Sequence, residues 1–332
     1  MRPRQGFAAF LFDIAQPKPS NDWETREVIV VVCPGQGSQT PGFLDPWVTE
    51  PEFRDHLEKL SDAASMDLLA HGTVSDVDTI RDTSVAQPLI VAAGLLTLRA
   101  LLEGRRDRVG GVAGHSVGEL TAAAAAGILS EQDAMTVVRE RGAAMADAAS
   151  QAETGMSAVV GADEAELLAR LDALGLEPAN FNGGGQIVVA GELASLEQLK
   201  QDPPAGARVI PLQVAGAFHT RYMASAVERL RAATANVDRH DPNLTIWTNH
   251  DGNAVTSGTE FVDLLVGQVS SPVRWDKTME SLATAAVTGI IEVAPAGALV
   301  GLAKRGLKGV PAVAVKTPDD LNAAFALIDG TS

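Results

Sequence analysis

Gly114-His115-Ser116-Val117-Gly118-Glu119 sets a serine between two glycines in the pattern G-x-S-x-G. Such a serine can act as a nucleophile where a strand turns straight into a helix beneath it. The turn strains the central backbone, and side chains two positions to either side would collide, which calls for glycine there. It also aims helix N-terminal N–H groups at any negative charge that develops beside the hydroxyl. The same residues equally suit an ordinary strand-to-helix turn, so other groups must decide.

Three further stretches carry chemistry-bearing side chains. Arg141 falls on the apolar stripe of a helix over 130–149, in line with Val138 and Met145. A guanidinium facing inward is costly to desolvate unless an anion meets it. It therefore forms an internal salt bridge, reaches back to the surface, or waits for a substrate carboxylate. His219 lies in Gly216-Ala217-Phe218-His219-Thr220, as a satisfied core or surface histidine or as a base. Pro34-Gly35-Gln36-Gly37-Ser38-Gln39 follows a Val-rich run. It reads as a flexible loop or as backbone that a ligand approaches closely.

The elements that must position these groups alternate in type. Strands are expected at 27–32, 109–113, 243–247, 289–293 and 312–315, with helices over 51–70, from Pro88 to about Leu102, and over 121–128. Ser130 is a suitable N-cap for the helix that follows, with Glu131 and Asp133 in its first turn. Later helices are expected from the loop at 216–220 to about 235, and at 260–268, 276–287, 298–306 and 318–328. This alternation argues for a parallel α/β sheet. Between its parts, 153–215 reads as strand, helix, strand, strand, helix, strand, the ferredoxin-like order. The expected organisation is an extension over 1–26, a discontinuous catalytic subdomain of 27–152 and 216–330, and the inserted subdomain 153–215.

Composition sets bounds. The 332 residues carry 26 Lys and Arg against 42 Asp and Glu, a net charge of −16. Such acidity argues against nucleic acid and anionic membrane as partners. No apolar run is expected to reach the roughly 18 residues needed to span a bilayer. The single cysteine, Cys33, excludes a disulfide framework and fits a reducing cytoplasm. The N-terminal stretch lacks the cleavage site of a signal peptide.

Taken together, the motifs at 34–39, 114–119, Arg141 in Arg-Glu-Arg-Gly and 216–219 resemble the malonyl-CoA:acyl carrier protein transacylases, over about 27–327. Ser271-Pro272-Val273-Arg274-Trp275 and the stretch from Glu292 to Leu299 also fit. The resemblance implies an α/β-hydrolase-like large subdomain with a ferredoxin-like small one. It implies Ser116 as nucleophile, His219 as general base, and an oxyanion hole from Gln36 and the Val117 N–H. Arg141 would pair with the malonyl carboxylate, and a main-chain carbonyl at Gln268 would orient His219 in place of an acid. Asn180 and Asn182 would line the pocket, His115 would pack beside the elbow, and Phe218 would narrow the space at the malonyl α-carbon. The substrates would be malonyl-CoA and acyl carrier protein, used in ping-pong fashion, with no metal or bound cofactor and a monomeric enzyme. Lys304, Arg305 and Lys308 are a candidate docking cluster or simply a solvated helix end. The competing reading is a serine thioesterase or esterase, which an acidic partner for His219 and a water-accessible ester would favour.

Overall fold

A computed structural model describes residues 28–331; the expected extension over 1–26 lies outside the described residues. The chain opens with β1 (Ile29–Cys33), whose five residues are all buried. Ile29, Val31 and Cys33 point into one hydrophobic core, Val30 and Val32 into another. A strand covered on both faces needs no polar alternation, which is why its β-branched run reads as continuous. Helices α1 (Pro51–Ala64) and α2 (Leu68–Thr73) follow, where the sequence suggested one helix. Ser65, left-handed at φ 50°, ends α1, and the Asp67 side chain caps α2.

The next helix, α3 (Thr83–Leu102), departs from expectation at its start. Pro88 sits inside it rather than in its first turn, because Asp82 caps the helix a turn earlier by accepting the Ser84 N–H at 2.8 Å. An interior proline costs about 3 kcal/mol. Burial of nearly the whole helix surface against the core offsets that cost. By length and composition α3 could also cross a bilayer, contrary to the expectation that no segment could, because its few polar residues scarcely lower its apolar character. In this fold it is a core helix, with 78% of its most apolar 18-residue stretch buried.

Strand β2 (Val109–Gly114) leads through the serine turn into α4 (Gly118–Ala125), then α5 (Glu131–Ala149). Ser130 caps α5 as its sequence suggests, accepting the Asp133 N–H at 3.0 Å. The inserted unit runs β3 (Thr154–Val160), α6 (Glu164–Leu174), β4 (Glu177–Gly183), β5 (Gln186–Glu192), α7 (Leu193–Gln201) and β6 (Arg208–Pro211). Its strands form an antiparallel sheet in the order β4-β5-β3-β6, the expected ferredoxin-like arrangement. The chain then returns through α8 (Ala224–Thr234), β7 (Thr245–Trp247), β8 (Ala254–Val255), α9 (Gly258–Gln268) and α10 (Trp275–Thr284). It closes with β9 (Gly289–Glu292), α11 (Ala298–Gly306), β10 (Ala312–Ala314) and α12 (Leu321–Asp329).

The large sheet has the order β10-β9-β1-β2-β7-β8 and is parallel except for β8. Strand β8, absent from the sequence reading, is a two-residue return of β7. The two sheets are tied where β4 meets the segment before α10. Phe181 N–H donates to the Val273 carbonyl and Val273 N–H to the Ala179 carbonyl, each at 2.9 Å. The serine turn, at the C-terminal end of central strand β2, opens toward that seam.

Candidate active site

Between β2 and α4 the chain reverses with Ser116 at φ 53°, in the left-handed region that L-residues rarely occupy. The two glycines answer to backbone. A Cβ on Gly114 would lie 2.1 Å from the Gly118 carbonyl carbon, and one on Gly118 would lie 2.1 Å from the Cys33 carbonyl oxygen. Hydrogen bonds hold the strained residue from both sides. Its N–H donates to Asn249 Oδ1 at 2.7 Å, and its carbonyl accepts from Gln268 Nε2 at 3.2 Å.

Ser116 Oγ lies 2.7 Å from His219 Nε2, across 103 residues of chain. On its other side the imidazole Nδ1 is 2.8 Å from the main-chain carbonyl of Gln268. A carbonyl can only accept, so Nδ1 carries the proton and Nε2 offers its lone pair to the serine hydroxyl. Burial, and then the positive charge of Arg141, hold His219 far below its ordinary value, at about 3. It is therefore neutral, with the Nε2 lone pair free of a proton, across the whole physiological range.

Arg141 is 1% exposed. Its Nη1 donates to Gln87 Oε1 at 2.6 Å and its Nη2 to Gln268 Oε1 at 2.7 Å, with Ser116 Oγ 3.4 Å from Nη2. Neither the salt bridge nor the surface reach open to it in the sequence is what it adopts. Two neutral amides hold it, and its Nε has no partner. Desolvation lowers its pKa to about 10, so it stays charged at neutral pH. A buried charge held only by neutral groups is set for an incoming anion.

A cavity of about 90 Å³ adjoins these groups, walled by both subdomains. Gln36, His115, Val117 and Phe218 line it from the large subdomain, Asn180 from the small one. The Gln36 amide reaches out to the Arg81 carbonyl at 3.3 Å, so this residue meets the cavity without aiming its Nε2 at Ser116. Asn180 carries a buried Oδ1 with no partner. Asn182 departs from the expected pocket lining. Two residues further along β4, about 7 Å on, its Oδ1 accepts from His115 Nε2 at 3.0 Å and its Nδ2 donates to Gln186 Oε1 at 3.0 Å. His115 itself packs edge-on against Trp275, ring centroids 5.6 Å apart, and burial lowers its pKa. Among the described residues no group of three or more His, Cys, Asp or Glu side chains is gathered for a metal ion.

Sequence reasoning assigns no part to three residues of this site: Gln87, Asn249 and Glu119, the last of them named only as the end of the serine motif. The available signal for Gln87 is its position as a polar residue inside the otherwise apolar α3. Asn249 opens Asn249-His250-Asp251-Gly252-Asn253, residues whose types suit a turn and so hide it.

Residues 30–319 match the model of the acyl transferase domain. The chain belongs to that family. It is 51% identical over 299 residues to the malonyl CoA-acyl carrier protein transacylase of Mycobacterium tuberculosis, covering 89% of this chain and 98% of that one. With the enzyme of the same name from Escherichia coli K12 it shares 31% identity over 303 residues, 89% and 98% of the two chains. Among solved structures it resembles the MCAT of M. tuberculosis with a TM-score of 0.87 at 50% identity, over 90% of this chain and 99% of that one. It also resembles PlMCAT, solved with a type II PKS acyl-carrier protein, with a TM-score of 0.86 at 28% identity, over 92% and 100%. This family member is accordingly an acyltransferase, with the large and small subdomains of those structures.

Proposed function

We propose that the protein transfers the malonyl group from malonyl-CoA to the phosphopantetheine thiol of acyl carrier protein, through an ester on Ser116. The observation that carries this reading is the buried Arg141 fork, held by neutral oxygens alone, two from amides and the third Ser116 Oγ at 3.4 Å. In malonyl the carboxylate carbon stands three bonds from the ester oxygen, within reach of a guanidinium this close. Each added methylene lengthens the path by a bond of about 1.5 Å. Acetyl has no carboxylate to offer, and Phe218 on the cavity wall disfavours branching at the α-carbon.

Each half-reaction conserves its proton. His219 Nε2 takes the Ser116 Oγ proton as Oγ adds to the thioester carbonyl. The tetrahedral oxyanion is met by main-chain N–H groups at Gln36 and Val117. Collapse breaks the C–S bond, and His219 returns its proton to the departing thiolate of coenzyme A. The carrier thiol then attacks the Ser116 ester by the reverse path. No metal or bound cofactor takes part. The Gln268 carbonyl does the orienting that an acid does in serine hydrolases, which counts against the esterase reading.

The division at 152/153 and 215/216 follows the change from one sheet to the other. A monomer in the cytoplasm is the proposed working unit, in line with a single cysteine that is a buried free thiol. Lys304, Arg305 and Lys308, exposed in and just after the last turn of α11, are the proposed docking patch for the carrier. The test is intact mass spectrometry after mixing with malonyl-CoA. A single malonyl adduct is expected, absent in Ser116→Ala; an adduct persisting in that variant would overturn the assignment.

A further inference from the structure

Glu119 takes no part in the transfer as laid out above, yet it is 1% exposed, in the first turn of α4 and three residues past Ser116. Both of its oxygens face donors. Oε1 accepts the main-chain N–H of Asn249 at 2.6 Å, and Oε2 accepts Gln268 Nε2 at 2.5 Å. The other end of the same Gln268 amide, Oε1, accepts from Arg141 Nη2 at 2.7 Å. One primary amide therefore spans a carboxylate and a guanidinium, nitrogen toward the acid and oxygen toward the base.

Chemistry leaves that amide a single orientation. A guanidinium only donates and a carboxylate only accepts, so turning Gln268 over would set donor against donor at Arg141 and acceptor against acceptor at Glu119. Gln268 Nε2 also reaches the Ser116 carbonyl and Asn249 Oδ1, each at 3.2 Å. Were the acid in direct contact with Arg141, it would occupy the fork itself. One amide removed, it still lends the guanidinium a compensating charge.

We infer that Glu119 is a positioning residue for acyl-group selection: it turns the Gln268 amide oxygen toward Arg141 and leaves the guanidinium fork for the acid end of the substrate. This rests on the reading of Arg141 as the partner of the malonyl carboxylate. An isosteric amide at 119 has only one acceptor end. If that end keeps the Asn249 N–H, its NH2 group meets Gln268 Nε2, donor on donor. Turning Gln268 to relieve this passes the conflict to Arg141. His219 is oriented by the main chain of Gln268 and keeps its partner throughout.

The test is Glu119→Gln in the full chain, with Arg141→Ala alongside, loading Ser116 from malonyl-CoA and from acetyl-CoA. For Glu119→Gln, kcat/KM for malonyl loading should fall about 10- to 100-fold, as expected for a disturbed buried hydrogen bond to a charged group. Acetyl loading should fall much less, so that the malonyl-to-acetyl ratio drops at least about tenfold. Equal losses for both acyl groups would mean that Glu119 merely supports the elbow, and would overturn the inference. A ratio that falls in Arg141→Ala but not in Glu119→Gln overturns this inference alone; a ratio unmoved in Arg141→Ala removes the reading beneath it.

Should Glu119→Gln fail to fold, the wild-type protein gives an independent measurement. Burial raises the Glu119 carboxyl to about 7, while His219 titrates only at about 3. Arg141 is the charged group that bears on Glu119, and Asn249, Thr248 and Gln268, which also face it, are neutral. Protonation turns one acceptor oxygen into a donor, so the malonyl-to-acetyl ratio should decline as pH falls from 8 to 6. A ratio flat across that range would overturn the inference.

Discussion

Replacing Arg141 by alanine separates two effects that most active-site substitutions confound. A malonyl carboxylate in the fork makes two charge-assisted hydrogen bonds, each worth about 1.5–3 kcal/mol. Their loss removes about 3–6 kcal/mol, or roughly 10²- to 10⁴-fold in kcat/KM at 1.4 kcal/mol per tenfold. Water admitted to the vacated space would keep the result near the lower end. For acetyl the sign differs. In the wild type an acetyl group leaves a desolvated guanidinium with only the Gln87 and Gln268 oxygens for partners. Truncation removes that charge, so acetyl loading should hold or rise. The assay is rapid-quench loading of Ser116 from each thioester, with circular dichroism to verify the fold. Arg141→Lys, which keeps charge but not the fork, should fall between wild type and alanine for malonyl. Parallel losses for malonyl and acetyl in Arg141→Ala would refute the carboxylate assignment, because a guanidinium that merely braces the elbow would act on both alike.

Two further expectations concern the scaffold of the site. Gly118→Ala places a Cβ 2.1 Å from the Cys33 carbonyl oxygen and 2.8 Å from that of Pro34, contacts that only backbone movement can relieve. It should cost at least the about 1–3 kcal/mol typical of overpacking, seen as a lower melting temperature, and should reduce acyl loading; an unchanged melting temperature would contradict the packing described. The second is pH-dependent. His219 is held at about 3 against an ordinary 6.5, so between those values the unfolded chain binds the extra proton and stability falls as pH falls. Glu119, raised to about 7 from 4.5, acts in the opposite sense, its folded form binding the extra proton between those values. The two slopes oppose each other from pH 4.5 to 6.5. Glu119→Gln should expose the histidine slope, adding about 1.4 kcal/mol of lost stability per pH unit on acidification through that window. Urea midpoints that change with pH equally in wild type and variant would refute it.

The fold was legible where sequence and local physics coincide. The β-branched run of β1, the Ser130 cap and the order of elements in the insert each follow from their own residues. Pro88 misled, because a proline usually marks a helix start and the Asp82 cap lies six residues upstream. In the site, the strand-to-helix turn and the inward direction of Arg141 could be argued from spacing alone. The contacts of Arg141 could not. Its two amide partners lie 54 and 127 residues away, and nothing in a sequence distinguishes an amide that holds an arginine from one facing water. The His219 contact is harder still to foresee without resemblance, since a main-chain carbonyl leaves no residue-type signature.

The split of the cavity between two sheets bears on how such an enzyme can diversify. Ser116, His219, Arg141 and Gln268, the groups proposed to make and break bonds or to hold those that do, all stand on the large subdomain. The ferredoxin-like insert contributes walls, among them Met156, Asn180 and Val188. Substitutions there can reshape the chamber without disturbing a single proton-transfer distance. Inheritance can thus vary what is carried while leaving untouched how it is carried, and drift in the insert becomes a path to new acyl preferences that never passes through a dead enzyme.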